Sequence, residues 1–228
     1  MGNSENERIE VKAMVPSSFQ EQFYSWVNQS ICPIFRLHPN RSVNSIYFDD
    51  NDFSAAFDNI SGISNRTKMR LRWYGDCVNV PVFLEFKAKH NSLGQKDTMA
   101  LQSTHCHHLL EKKFATMNRL LFRECNFARR NFVNRSQNHV LSTHYHREYY
   151  FCHGTKIRLT FDRSIVCFDQ RFNQKFGKKH RIRLPQVNII EIKCPPSSRN
   201  ELIKLMEDFP FRTSKFSKYV FGLTHMLA

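Results

Sequence analysis

The chain has 228 residues, 41% hydrophobic and 13% aromatic, enough to bury a core in one ordinary domain or two small ones. Its net charge of +14 argues for an acidic partner: nucleic acid, an anionic membrane or a polyphosphorylated ligand. No apolar run approaches the ~20 residues of a membrane span. The seven cysteines are widely spaced with no Cys-x-x-Cys, which excludes a disulfide framework or zinc ribbon and reads as reduced intracellular thiols.

In chain order, residues 1–6 read as a polar tail without the apolar core of a signal peptide, and 7–228 as a single domain. Asn6 stands where a myristoylation motif on Gly2 needs Ser or Thr, so that motif is set aside. Charged and apolar residues alternate from Arg8 to Lys12, predicting a strand. Ser18 with Glu21 predicts a capping box opening a helix over 19–29. Pro33 and Pro39 mark a loop, 43–48 a strand, and 53–59 a short helix. The stretch 67–89 reads as two antiparallel strands around a turn at Gly75 and Asp76. A turn at 90–94 precedes a short strand at 95–100. Helical spacing of Leu109, Leu110, Phe114, Met117, Leu120 and Leu121 predicts one helix over 107–123, with a further helical piece at 124–133. Strands follow at 141–150, 156–162 and 187–193, with a basic hairpin over 170–184. Helices are expected at 200–209 and 214–226, the last with Lys215 and Lys218 in its first turn.

Period-two reading gives these strands a charged face and an apolar face. Lys68, Arg70 and Arg72 oppose Met69, Leu71 and Trp73; Glu85, Lys87 and Lys89 oppose Leu84, Phe86 and Ala88. Lys156, Arg158, Thr160 and Asp162 share a face, as do Glu191 and Lys193. One such strand would simply be solvated on its charged side. Like charges on neighbouring strands repel, however, so a repeated bias asks for an anionic ligand. Several amphipathic helices also need an apolar surface to cover. The expected architecture is therefore α+β: a closed, mostly antiparallel β-barrel with a charged lumen and helices packed outside. Such a lumen favours a chain of phosphates, and an isolated glutamate within it suits a hard divalent cation.

Several ordered stretches carry a resemblance. They are Arg8-Ile9-Glu10-Val11-Lys12, Ile46-Tyr47-Phe48-Asp49, Lys68-Met69-Arg70-Leu71-Arg72-Trp73-Tyr74, Leu84-Glu85-Phe86-Lys87 and Lys96. Tyr145-His146-Arg147-Glu148-Tyr149, Arg158-Leu159-Thr160-Phe161-Asp162, Ile190-Glu191-Ile192-Lys193 and Ser214-Lys215-Phe216-Ser217-Lys218-Tyr219 follow in order. Together they resemble the catalytic domain of the vacuolar transporter chaperone (VTC) polyphosphate polymerases, within the triphosphate tunnel metalloenzymes. The resemblance implies a tunnel fold and a metal-dependent phosphotransferase that moves the ATP γ-phosphate to a growing inorganic polyphosphate chain. It implies Arg70, Arg72, Lys87, Arg147 and Arg158 as catalytic residues. Lys12, Lys68, Lys96, Lys193, Lys215, Ser217 and Lys218 would bind substrate, and Glu191 would hold Mn2+ or Mg2+. ATP and polyphosphate are the implied partners, with a further protein partner left open and a cytoplasmic location expected.

Two departures stand out. Hydrolytic relatives carry Glu-x-Glu-x-Lys on the first strand; Arg8 occupies the first glutamate position, which favours transfer over hydrolysis. Asp97 follows Lys96 where the resemblance leads one to expect another basic residue, which would weaken grip at that end. The alternatives are an inorganic triphosphatase of the same fold, or a non-catalytic module binding polyphosphate or nucleic acid. The residues His105-Cys106-His107-His108 are too close in sequence to close a tetrahedral metal site alone and read as a solvated helix start. The basic run from Lys178 to Arg183 lacks a nucleic-acid recognition motif and is read as steering anions.

Overall fold

Among the described residues, alternation of apolar and charged residues produces eight strands; five of seven α-helices join them and two follow the last strand. In a computed structural model, which describes residues 8–228 except 79, 91–92 and 103–104, the order is β1 (Ile9–Pro16), α1 (Gln20–Gln29), β2 (Ile34–Asp49), α2 (Ser54–Ile60), β3 (Arg66–Tyr74), β4 (Phe83–His90), β5 (Leu93–Ala100), α3 (Cys106–Leu110), α4 (Phe114–Glu124), α5 (Phe127–Arg135), β6 (Asn138–Cys152), β7 (Arg158–Asp169), β8 (Val187–Cys194), α6 (Arg199–Glu207) and α7 (Lys218–Leu227). The expected tail at 1–6, the middle of the turn at 90–94 and the side chain of Lys89 lie outside the described residues.

The strands form one sheet in the order β1-β8-β7-β6-β2-β3-β4-β5. The assigned ladders β1–β8, β7–β8, β2–β3, β3–β4 and β4–β5 are all antiparallel. The α+β class holds, but the expected closed barrel is corrected: the ladder order has two ends, β1 and β5. Alternation dictates a sheet with two unlike faces. Closure depends on tilt and stagger, which alternation does not encode.

The chain gathers into two compact units. Unit 1 comprises Met1–Arg41, Tyr145–Ile165 and Pro185–Phe216; unit 2 comprises Ser42–His144, Val166–Leu184 and Ser217–Ala228. The core of unit 1 sets Phe23, Trp26 and Val27 of α1 and Leu202 and Leu205 of α6 against Ala13, Val15, Leu159, Phe161, Ile190 and Ile192. In unit 2, Leu109, Leu110, Met117, Leu121 and Val133 of α3–α5 cover Met69, Leu71, Trp73, Leu84 and Phe86. In both, helices bury the apolar strand face, so the charged residues of the same strands project from the other side.

Several boundaries differ from the sequence expectation. A 3₁₀ turn at Ser17–Phe19 precedes α1, whose N-cap is Phe19 with no side-chain cap bond, so the Ser18–Glu21 capping box does not form. The helix expected over 107–123 breaks in two because Phe114 N donates to Gln174 O (2.8 Å). The basic stretch 170–184 is not a hairpin: the Gln170 side chain accepts from Gly177 N (3.1 Å) and donates to Gly177 O (2.7 Å), closing a compact loop. Lys215 precedes α7, which begins at Lys218 with Ser217 as N-cap. No described helix is long and apolar enough to cross a membrane.

Candidate functional site

In unit 2 the in-register ladders line up the charged face. Lys68 lies opposite Lys87, and Lys87 opposite Lys96, so three lysines cross β3, β4 and β5 in a row. In the next row on this face, Tyr47 lies opposite Arg70 and Arg70 opposite Glu85. Glu85 is buried, its side chain 4% exposed, and it gathers three cations. Arg70 Nε donates to its Oε2 (2.6 Å), Arg72 Nη1 lies 3.7 Å away, and Lys96 Nζ meets Oε1 at 2.7 Å. Burial alone would push this carboxyl up, but Arg70, Arg72 and Lys96 outweigh it and hold it at about 2. Arg70 also donates to Tyr47 OH (3.3 Å), and Arg72 to Ser45 Oγ (3.4 Å). These bonds fix where the guanidinium forks sit.

The start of α7 reaches the same row. Ser217 Oγ accepts from Lys68 Nζ (3.1 Å) and from Val220 N (3.5 Å), capping the helix. Tyr219 anchors α7 through its hydroxyl, which donates to Asp49 Oδ2 (2.6 Å), and its ring stacks on Tyr47 at 5.1 Å. Asp49 in turn accepts from Ala55 N and Ala56 N at the start of α2. A tyrosine on β2 thus touches both an arginine of the cationic face and the helix bearing Lys218.

Unit 1 repeats the theme. Lys12 of β1 lies opposite Glu191 of β8, which lies opposite Thr160 of β7; Glu10 and Arg158 flank Lys193 in the neighbouring row. Glu191 faces Lys193 Nζ at 3.3 Å, Lys12 Nζ at 3.5 Å and Arg147 Nη2 at 3.9 Å. Burial opposes its ionisation, but Lys193, a hydrogen bond with Glu10, Lys12 and Arg147 hold its carboxyl well below the ordinary range. Lys12 also meets Glu10 at 2.5 Å and donates to Phe216 O at 3.1 Å. Arg147 is locked by Asp162, which accepts from Nε (2.5 Å) and Nη2 (2.7 Å). That fork and the Tyr145 ring, 5.4 Å from the guanidinium carbon, fix the arginine.

The structure therefore brings Arg70, Arg72, Lys96 and Glu85 together in unit 2, with Lys68 joined to Ser217 beside them. It brings Lys12, Arg147, Lys193 and Glu191 together in unit 1. Lys87 is exposed in the centre of the lysine row. Arg158 is exposed and, with Arg8, Lys156 and Lys193, lines a cavity of about 410 Å³ in unit 1. Lys215 is exposed in the segment next to β1, where Ser214 N donates to Lys12 O. Lys218 is partly buried at the first position of α7. Asp97 does not touch this face; Arg129 of α5 holds it by two bonds of 2.7 and 2.8 Å. The expected weakening at Lys96 therefore lacks a contact to act through.

Sequence reasoning missed the anchoring roles of Glu85, Asp162 and Tyr47. Glu85 is legible by parity, since it lies on the charged face opposite Arg70; Asp162 shares its strand face with Arg158, whereas the arginine it holds is Arg147 of β6. Among the described residues no three His, Cys, Asp or Glu side chains form a metal-binding group, and His107 instead meets Glu111 one helical turn away at 3.2 Å.

No curated protein matches the chain. Solved structures share its fold at low identity. The PH1819 protein of Pyrococcus horikoshii OT3 is 15% identical, with a TM-score of 0.52 over 96% of this chain and 99% of its own. The Hippeastrum protein HpAC1, assigned as an adenylyl cyclase and reported with a dominant triphosphatase activity, is 15% identical, with a TM-score of 0.55 over 96% of each chain. A Vibrio parahaemolyticus protein assigned as an adenylate cyclase is 11% identical, with a TM-score of 0.51 over 97% of this chain and 98% of its own. The VTC domain matches residues 5–227, nearly the whole sequence, and the chain belongs to the VTC domain family.

Proposed function

We propose that the protein is a metal-dependent polyphosphate polymerase that transfers the ATP γ-phosphoryl group to the end of an inorganic polyphosphate chain. One observation supports phosphate handling above the rest: in each unit a shielded carboxylate gathers three cations, Glu85 in one and Glu191 in the other. The Glu85 set keeps a net positive charge. In unit 1 Glu10 and Asp162 also pair with Lys12 and Arg147, and the excess positive charge comes from Arg158 opposite Lys193. The arginines of both sets are pre-aimed, so little side-chain entropy is lost when a phosphate arrives. Phosphoryl transfer needs alignment and charge neutralisation more than protein acid–base chemistry. The terminal phosphate of the acceptor is already an anionic nucleophile. Arg70, Arg72, Arg147 and Arg158 would offer forked donors to phosphoryl oxygens, with Lys12, Lys68, Lys87, Lys96, Lys193, Lys215 and Lys218 supplying point charges and Ser217 a hydroxyl.

The family implies a divalent cation, manganese or magnesium. Glu191 fits it: the carboxylate is ionised and keeps 12% of its side chain exposed. Such ions take one or two carboxylates, with water and substrate phosphates completing the shell. The bound ion would supply charge neutralisation on the nucleotide phosphates.

The transferase reading draws on VTC family membership and on Arg8, which stands where hydrolytic relatives carry a glutamate. A triphosphatase is the second reading. The activity reported for HpAC1 favours it, as does Glu10, which shares Lys12 with Glu191 and so keeps two carboxylates close together. The deciding experiment incubates the protein with ATP and Mn2+ and resolves products by gel. A ladder of long phosphate chains is expected, and Glu191→Gln should slow it by roughly tenfold or more with a shifted metal titration. Orthophosphate as the sole product would replace polymerase with triphosphatase. Tight binding without turnover would leave a binding module.

A further inference from the structure

We propose that Cys77 and Cys106 form a disulfide site, oxidised by a peroxide that enters a cavity beside them. Their sulfurs lie 3.1 Å apart in unit 2. Cys106 opens α3 and is fully buried; Cys77 is half-buried in the turn that follows β3. The two segments are already tied, because Cys106 N donates to Val80 O at 3.2 Å. A disulfide needs sulfurs about 2.05 Å apart, so closure asks for roughly 1 Å of travel. Cys77 lies in the turn outside β3, so its approach is not tied to the strand ladder.

The cavity gives access. It holds about 310 Å³ and is lined by Cys77, Trp73, His107, His144, Lys175 and Lys178, among others. That volume admits a molecule the size of hydrogen peroxide. Lys175 and Lys178 share this wall with Asp76 and Glu111, and an ammonium group there would donate to the departing hydroxide. The order of events follows from burial. Cys106 is pushed up by burial and by its neighbour Cys77, so it stays protonated while Cys77 reacts first.

The chemistry balances. The Cys77 thiolate attacks one peroxide oxygen; the O–O bond breaks, hydroxide leaves, and Cys77 becomes a sulfenic acid. That hydroxide takes up the proton lost from Cys77. Cys106 sulfur then attacks Cys77 sulfur and the S–O bond breaks, with the oxygen leaving as water on the Cys106 proton. Two thiols and one peroxide give one disulfide and two waters. The product would staple the β3–β4 connection to α3.

The test treats the whole protein with equimolar hydrogen peroxide, then counts thiols and maps peptides without reduction. Two of the seven thiols should disappear, one linked peptide pair should contain residues 77 and 106, and dithiothreitol should restore both thiols. Cys106→Ala should leave Cys77 as a sulfenic acid trapped by dimedone. Cys77→Ser, a change in a half-exposed turn, should keep its remaining thiols at the same peroxide dose. An undiminished thiol count in the parent protein would overturn the site. So would a link between Cys32 and Cys152, which also neighbour one another, in place of this one.

Discussion

Glu85 is the residue on which the cations of unit 2 depend. Its carboxyl is held at about 2 in the fold against an ordinary 4.5, so the folded state binds its proton only at lower pH. The sign follows from linkage: the unfolded chain binds more protons between those values, so stability falls as pH drops from 4.5 toward 2. The contribution present at neutral pH is on the order of 3 kcal/mol. His139 acts at higher pH. Burial takes its imidazole down to about 3, so unfolded chains gain a proton first as pH falls below 6.5. Glu85→Gln should lower the melting temperature at neutral pH and flatten the acid limb below pH 4.5, while leaving the His139 slope between 6.5 and 4.5. Thermal unfolding across pH reads both; an unaltered acid limb would show that the three cations do not draw their position from Glu85. Strand parity reveals such residues only halfway. It puts Glu85 beside Arg70 and Asp162 beside Arg158, but contact depends on which neighbouring strand supplies the partner. Arg147, the actual partner of Asp162, comes from a different strand, and no single-strand pattern announces that pairing.

At the scale of elements, α7 is set by a close approach. A Cβ built on Gly222 would come within 2.5 Å of Leu141 Cδ2 and 3.1 Å of Cys167 Sγ, both fully buried. Gly222→Ala gains about 1 kcal/mol of helix propensity and loses about 1–3 to overpacking. The net expectation is a melting temperature lowered by a few degrees and, because α7 brings Ser217 to Lys68, weaker tripolyphosphate binding. A raised melting temperature would mean that Leu141 has room to turn away. Strands with one buried face were legible from sequence: the outer limits expected for the β3–β4 pair, 67 and 89, and both limits of β8 fall within one residue of those observed. β2 is longer than its alternation predicts because Phe35 to Arg41 are exposed and carry no alternation, and Pro39 signals a loop. Proline is tolerated in a strand where its missing N–H would face solvent. The break between α3 and α4 was invisible for another reason. The backbone bond from Phe114 to Gln174 is tertiary, and helical spacing continues straight through it. The sheet's two ends were equally beyond reach, since closure is not written in the period of any strand.

At the scale of the whole molecule, the question is whether the net charge of +14 acts collectively or through particular rows. A collective field would attract any polyanion and treat each surface cation as equivalent. The ladders argue for rows instead. Lys68, Lys87 and Lys96 are in register across three strands, about 4.8 Å per step, a linear array suited to successive phosphates. Lys178, Lys179 and Arg183 stand exposed on the compact loop after β7, apart from that register. Binding of a long polyphosphate should weaken steeply with salt, with a log–log slope near −0.7 for each phosphate neutralised. If the row carries the contacts, Lys87→Ala should make that slope shallower by about 0.7 and lower affinity at 0.1 M salt by several-fold. Lys179→Ala, which removes the same charge elsewhere in unit 2, should leave the slope alone and slow association slightly. Titrations at four or five salt concentrations, with association rates by stopped flow, separate the two. Equal slope changes in both variants would assign binding to the general field, and a slope near zero in the parent protein would mean that the charged faces serve only to meet water.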